Sequence, residues 1–449
     1  MRTYEKYKES GIEWIGEIPE HWELTKLKYI GKLYSGLSGK SGDDFKQDDS
    51  SLNKPFIPFT NIANNEKINP LNLQYVVITE DDKQNKVQMN DLFFMMSSEN
   101  FEDVGKSTIL VDDIGEVYLN SFCKGYRLSN ENVCAHFLNY FLLNHASRRR
   151  LMIEANGFTR INLKMEKVND FEIELPPLSE QTAIANYLDS KTTEIDRIVA
   201  DKEALVSLYE EEKKALINEA VTKGRNPEVK LKPSGIDWLG DVPEHWEVVG
   251  FNHFVYLKHG FQFREYDFTD DGIKVVKITQ LKPDGSLDIS NCSYIDKSRS
   301  DEFDGIKINN GDILMALTGG TIGKIIKATD INELLLQNYR VGNFYPKSDL
   351  LSKEFLFYIL SADLVIAQIF YYQKETGQPN VGKEDFSNMK FCLPPLEEQT
   401  SIVHYIESET ANINDKINQI KQEIALLKEY RQALIFEAVT GKVRVFEGC

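Results

Sequence analysis

The chain has 449 residues, 41% hydrophobic and 27% charged, enough for two to four packed domains at roughly 100–200 residues each and too apolar for a disordered tail. Lys and Arg number 52 against 70 Asp and Glu, and the net charge of −18, taken alone, argues against a chain that grips nucleic acid by its own phosphate contacts. No apolar run approaches the ~20 residues of a membrane span, MRTYEKYKESG has no signal-peptide core, and Cys123, Cys134, Cys292, Cys392 and Cys449 form no CxxC pair, which excludes a zinc ribbon and points to a reducing cytoplasm.

The first feature in chain order is SGIEWIGEIPEHWE (Ser10–Glu23). It returns as SGIDWLGDVPEHWE (Ser234–Glu247), identical at 10 of 14 positions. All four tryptophans, Trp14, Trp22, Trp238 and Trp246, lie in these two segments with His21 and His245. No second histidine, cysteine or acid sits at ligand spacing, so the segments read as aromatic anchors rather than metal or catalytic sites.

A variable block, 24–174, follows. Pro55–Ile62 and Leu92–Met96 read as strands and Val133–Leu143 as a helix. Polar clusters follow the strands: Thr60-Asn61 and Ser97-Ser98-Glu99-Asn100. Arg148–Arg150 reads as a solvated, dipole-favoured helix end ahead of a phosphate contact.

From Leu175 the sequence LPPLSEQTAIANYLDS opens a helix, with Pro177 at its start and Glu180 in its first turn. Its seam is Leu188, Ile195, Val199, Val206, Tyr209 and Leu216, interrupted by Lys202 and Lys213. The second W-segment and a second variable block, 248–392, come next. Lys274–Leu281 and Asp312–Leu317 read as strands and Phe355–Ile369 as a helix, with polar clusters at Thr279-Gln280, Thr318-Gly319-Gly320-Thr321 and Gln337-Asn338-Tyr339-Arg340. At Leu393 the helix opening returns as LPPLEEQTSIVHYIES, and 21 of 50 positions match the first copy without a gap. Here Ile406, Ile413, Ile420, Leu427 and Leu434 repeat every seven residues, Ile417 and Ile424 fill the seam, and Glu409 and Arg431 interrupt it. Neither helix can bury its seam alone, so an antiparallel pairing of the two is expected.

Catalytic motifs are missing. The proline pairs have neither the Asn or Asp before them nor the aromatic after them that a DNA methyltransferase needs. Gly319–Ile325 has the wrong spacing for a nucleotide-binding loop. Amides, hydroxyls and arginines in loops suit base edges, Asn and Gln matching adenine and Arg or Lys guanine.

A doubled W-motif, LPPLxEQ and EAVT frame (EAVTKG at 219–224, EAVTGK at 437–442) around two unlike inserts resembles the specificity (S) subunit of type I restriction–modification systems over essentially the whole chain. The inserts resemble target recognition domains through Gly311–Leu314, Gly323 and Gln378-Pro379-Asn380. The first copy departs from this pattern, with Asn90 for Gly311 and Arg160-Ile161-Asn162 for the latter, which weakens residue-level transfer there. The resemblance implies an α+β chain of two mixed α/β recognition domains separated by two long helices that form an antiparallel coiled coil with pseudo-twofold symmetry. Its domains would be 1–174 (first recognition domain), 175–226 (first helix), 227–392 (second recognition domain) and 393–449 (second helix and tail).

The implied function is non-catalytic. Each domain would read one half of a split, asymmetric site on double-stranded DNA, with the helices as a spacer. The implied partners are two methyltransferase (M) subunits, carrying S-adenosylmethionine, and as optional partners two restriction (R) subunits, using ATP and Mg. No cofactor is expected in this chain. A protein-interaction scaffold that reads no DNA is the alternative. Candidate DNA contacts are Thr60, Asn61, Ser97, Ser98, Glu99, Asn120, Arg160, Asn162, Thr279, Gln280, Thr318, Thr321, Gln337, Asn338, Tyr339, Arg340, Gln378 and Asn380, with Lys106, Lys124, Lys277 and Lys324 for phosphates. The helix seams are the candidate partner-binding elements.

Overall fold

A computed structural model of the chain describes residues 3–12, 15–45, 52–236, 239–372 and 381–445. It divides into two units, Met1–Glu203 with Gln422–Cys449, and Ala204–Lys421. The division runs through both long helices, α1 (Leu178–Lys223) and α2 (Leu396–Val439), so each unit holds the start of one helix and the end of the other.

In the first unit the W-segment forms a hairpin, Tyr7–Glu9 against Glu17–Pro19. The chain then enters the variable domain through Glu23–Lys26 and leaves it through Glu172–Leu175, and these two strands pair antiparallel. The domain is therefore an insertion closed at its neck. Its main sheet is antiparallel in the order Gly31–Ser35, Cys123–Leu128, Leu92–Met95, Ser107–Ile109. Leu92–Met95 is buried at all four positions, as its unbroken apolar run demands. The turn before it needs a left-handed residue, supplied by Asn90 (φ 69°). Next comes buried Asp91, which accepts from Tyr34 Oη (2.6 Å) and from Arg127 (2.6 and 2.8 Å).

The second unit repeats this plan. Its hairpin is Leu231–Pro233 against Asp241–Pro243, and its neck pairs Glu247–Gly250 with Lys390–Leu393. The sheet order is Val255–His259, Val341–Pro346, Ile313–Ala316, Ile325–Lys327. Gly311 (φ 84°) stands where the first copy has Asn90, and buried Asp312 accepts from Asn343 Nδ2 at 2.8 Å. The copies diverge beside this shared sheet. The first has a three-stranded sheet, the second a five-stranded one.

Several expected elements are shorter than their apolar runs. The strand expected at Pro55–Ile62 is Asn53–Ile57, and Pro58, which has no amide hydrogen to donate to a ladder, starts the helix Phe59–Asn64. The strand expected at Lys274–Leu281 is Ile273–Val276, followed by a turn of 3-10 helix, Ile278–Gln280. The helix expected at Phe355–Ile369 is two, Lys353–Ser361 and Asp363–Tyr372, the second starting at Asp363 just past Ala362. Arg148–Arg150 lies inside the helix His145–Ile153, not at a free end. Arg148 donates to the carbonyls of Glu102 and Val104, and Arg150 to that of Glu172. Among the described residues no single helix is long and apolar enough to cross a membrane.

The seams are buried as the sevens imply. In the first unit Leu188, Ile195, Val199, Ile424 and Leu434 are buried and Leu427 is half-buried. In the second Val206, Ile406, Ile413, Ile417 and Ile420 are buried, with Tyr209 and Leu216 half-buried. Cross-helix pairs run in opposite senses along the two helices: Asp196–Arg431 and Lys202–Glu423 in the first unit, Glu210–Lys421 and Lys213–Asn414 in the second. The lysines that interrupt the first seam are thus each matched by a polar partner. Arg431 does more: it also makes a two-point bond to Glu66 of the inserted domain (2.7 and 2.8 Å). Asp189 on α1 adds a second tie to that domain. Burial opposes its ionisation, yet His136, Lys67 and Tyr140 together hold its pKa below the usual range.

The two repeated motifs meet each other. Trp22 is 0% exposed and donates from Nε1 to Glu180 Oε1 (3.1 Å), while His21 Nε2 sits 2.8 Å from Glu180 Oε2 and Tyr4 Oη donates to the same carboxylate. In the second copy Trp246 (0%) and His245 reach Glu398 at 3.0 and 2.8 Å. The neighbouring Gln181 donates to the carbonyls of Pro176 and Asn132 and accepts from Cys134, and Gln399 makes the matching set to Pro394, Leu350 and Ser352. The far helix closes each clasp: Gly441, after α2, lies against Pro19 and Trp22, and Gly224, after α1, lies against Trp246. Lys442 Nζ donates to the carbonyls of Ile15 and Glu17, both at 2.7 Å.

Two outcomes follow for stability. Glu180→Ala orphans the indole of Trp22 and the hydroxyl of Tyr4, each worth about 1–3 kcal/mol when buried unpaired. Urea unfolding of the full chain therefore shows a larger loss for Glu180→Ala than for Glu398→Ala, because Glu398 is more exposed and Glu228 stands where Tyr4 would be. Glu174 is buried in the neck strand with neither carboxylate oxygen bonded to another residue, and burial pushes its pKa up to about 7, against the pull of its own backbone amide, Arg150 and Lys442 and with the push of Glu172. The folded state then holds a proton that the unfolded state has lost. Stability falls as pH rises from about 4.5 to 7 and levels off above, a drop of about 3 kcal/mol at most. Glu174→Gln removes that slope and stabilises the chain at pH 8. Equal slopes in urea unfolding between pH 5 and 7 would refute it.

Candidate nucleic-acid interface

The inserted domains carry nearly all the candidate contacts, and their side chains fall into two groups. The first is spent on the framework. Asn61 is fully buried on a helix rather than in a loop, donating to the carbonyls of Asn69 and Asn72 and accepting from the Asn69 amide. Thr60 is half-buried beside it. Asn120 Oδ1 accepts from the Phe122 amide and so shapes that turn. In the second domain Gln280 bridges Lys277 and Asn291, buried Gln337 donates to the carbonyls of Lys258 and Val341, and buried Asn338 accepts from the Arg340 amide.

Most of the phosphate candidates are also engaged. Lys106 donates to Asp103 (2.6 Å) and the Ala63 carbonyl, and Lys124 to Ser35. Lys277 donates to Ser293 and lies 4.2 Å above the Phe268 ring, and burial lowers its pKa. Lys324 has no ion-pair partner among the described residues. Gln378 and Asn380 lie outside the described residues, as do Trp14, Trp238 and Cys449.

The second group is brought together at the surface. Ser97–Ser98 forms a short antiparallel pair with Ile161–Asn162, which joins two loop clusters more than 60 residues apart. Asn156 and Asn162 exchange both backbone hydrogen bonds at 2.9 Å and close a tight hairpin. Arg160, exposed on that hairpin, stacks its guanidinium 4.5 Å from the centroid of the Phe122 ring. Glu99 is exposed at the end of the neighbouring strand. In the second domain the exposed Arg340 bonds the Tyr339 hydroxyl at 2.7 Å and lies over its ring. Thr318 and Thr321 flank a 3-10 turn in which Thr321 donates to the Thr318 carbonyl and the Thr318 hydroxyl is buried without a partner.

Sequence reasoning missed the aromatic residues of this surface. Phe122 is 42% exposed and Phe158 100%, and in the second domain Phe261 and Tyr266 are also exposed. The available signal was a phenylalanine between Gly157 and Arg160 in an otherwise polar turn. Residues that stack on bases or shield an arginine are aromatic and need not be polar.

The arrangement offers a polar, arginine- and aromatic-bearing surface on each inserted domain. Comparison with known proteins gives it a class. The family model described as the type I restriction modification DNA specificity domain matches residues 19–205 and again 243–426. The chain belongs to this family and carries its domain twice. It is 25% identical over 433 residues to the type I restriction enzyme MjaVIII specificity subunit of Methanocaldococcus jannaschii, covering 95% of this chain and 94% of that protein. It is 22% identical to the EcoKI specificity subunit of Escherichia coli K12, covering 95% and 90%. Its fold is similar to a chain solved in a study of complex assembly and conformational transition of the type I R-M system, with a TM-score of 0.71 at 15% identity and coverage of 95% and 99%. It is also similar to the HsdS subunit from Thermoanaerobacter tengcongensis, with a TM-score of 0.52 at 16% identity and coverage of 97% and 100%.

Proposed function

We propose that the chain is the sequence-specificity subunit of a type I restriction–modification complex, acting in the cytoplasm. Each inserted domain reads one half of a bipartite, asymmetric target on double-stranded DNA. The long helices set the gap between the halves and dock two methyltransferase subunits, and two restriction subunits join where the complex cuts. The chemistry belongs to the partners: S-adenosylmethionine is held by the methyltransferase subunits, ATP and Mg by the restriction subunits. The observation that carries this reading is the closed neck. A constant frame holds two domains that each have a four-stranded antiparallel sheet of the same plan and differ in the surface beside it. A constant frame suits a constant partner, and two unlike surfaces suit two unlike half-sites.

Long-read methylation mapping of cells with and without this gene tests it. The expected result is a split adenine-methylated motif with unlike halves that disappears on deletion. An unchanged map in cells that contain working methyltransferase subunits refutes it and leaves the scaffold reading. The spacer role has its own test. One heptad inserted into each helix adds about 10 Å of helix, which equals about three base pairs of duplex. The mapped motif should keep both halves and widen its gap by that amount. A gap of unchanged length would remove the spacer role.

A further inference from the structure

We propose that Arg160 reads a guanine in the major groove of the first half-site, and that Phe122 is the positioning residue that holds its guanidinium plane. This rests on the DNA-reading role given above and assigns it a residue and a base.

The first argument is availability. Of the other arginines of the same domain, Arg127, Arg148 and Arg150 are committed to Asp91 or to backbone carbonyls, and Arg149, though exposed, lies on the helix His145–Ile153 and not on the hairpin. Arg160 is exposed and makes no ion pair among the described residues, on a chain with 70 acidic residues to offer one. Its contact is with a ring, which shields one face of the guanidinium and leaves the donor edge open.

Rigidity is the second argument. The hairpin is closed by the Asn156–Asn162 pair and stitched to Ser97–Ser98. Gly157 takes φ 151°, and a Cβ there would meet the Arg160 carbonyl oxygen at 1.9 Å, so the tight turn that carries Arg160 accepts only glycine. A fixed backbone and a stacked guanidinium lower the entropy lost on binding. A phosphate contact needs only a nearby positive charge, whereas guanine N7 and O6 need a planar fork held in one orientation. Fully exposed Phe158, two residues before Arg160, gives the same hairpin an apolar face that a base-pair edge or thymine methyl can cover.

The third argument lies in the repeat. Aligned on the gap-free helix match, Asn162 corresponds to Asn380 and Arg160 to Gln378. In the sequence the asparagine is kept, and the residue two positions before it changes from a guanine-matching to an adenine-matching side chain.

The test uses the assembled complex with its methyltransferase subunits, methylating a duplex library randomised over both half-sites. Arg160→Ala is expected to lose discrimination at one guanine of the first half by about 10- to 100-fold, with every position of the second half unchanged. Arg160→Lys keeps part of the preference. Phe122→Ala loses a smaller part at the same position, because the fork remains but its orientation does not. The second half serves as the folding control. If Arg160→Ala also abolishes reading of the second half, the variant has damaged the frame, and Arg160→Lys and Phe122→Ala decide. The proposal is overturned if these variants leave the first-half preferences intact, if no guanine occurs in the first half, or if Arg160→Ala weakens all sequences evenly with a shallower salt dependence, the mark of a phosphate contact. A wild-type complex that methylates no split motif is a different failure and refutes the specificity-subunit reading itself.

Discussion

One carboxylate at the start of each long helix organises the frame. Glu180 and Glu398 each take the indole of a tryptophan and face a histidine from a segment more than 150 residues earlier in the chain. The tryptophans are fully buried, so their N–H groups have no water to turn to, and losing the acceptor costs the whole desolvation penalty. The adjacent glutamine fixes the carbonyl of the proline pair and the start of a domain helix. The strand into the inserted domain leaves from the tryptophan side of this clasp and the strand out arrives at the proline side. Everything between the two neck strands is therefore held at one place, and the frame makes no demand on its interior beyond a sheet that begins and ends there.

What could be read from the sequence divides along the same line. Repetition exposed the frame, because one copy can be matched against the other along the chain, and sevens exposed the seams, because they are a periodic signal within a short window. The meeting of Glu180 with Trp22 was hidden, since a contact across that separation leaves no local trace. It was available only as the coincidence that both motifs recur together. Inside the inserted domains the apolar runs located strands at Leu92–Met95 and Ile313–Ala316, but Pro58 and Lys277 cut two others short for reasons of hydrogen bonding rather than hydrophobicity. Polar type alone could not separate a framework amide from an accessible one. Asn61 and Asn162 look alike in sequence, yet one is buried under three backbone partners and the other faces solvent on a hairpin.

The charge of the chain fits this division of labour. Many of its cations serve other groups of the protein: Lys202 and Lys213 match polar residues across the helix seam, Arg431 ties α2 to Glu66 and Asp196, and Lys106 and Lys277 brace loops. A net charge of −18 with its cations so spent gives little general attraction for a polyanion. A protein built this way can discriminate sequences without holding DNA tightly by itself, provided partner subunits supply the backbone grip. Discrimination by a few base-edge contacts is then not diluted by strong binding to every other sequence.

The two copies also show which features physics enforces and which it leaves free. Asn90 and Gly311 differ in chemistry but answer one requirement, a left-handed residue before a buried aspartate. Asp91 and Asp312 stay, and each finds a different donor, Arg127 in one case and Asn343 in the other. In the neck strand Glu174 occupies the place of Cys392, a buried thiol. That exchange puts an ionisable group with no hydrogen-bond partner where a small apolar one suffices, and it costs stability at neutral pH. Backbone geometry at the sheet is thus conserved between the copies while the side chains that satisfy it drift. Such drift is tolerable because the neck and clasp, not the interior of the insert, fix where each domain stands on its own stretch of frame.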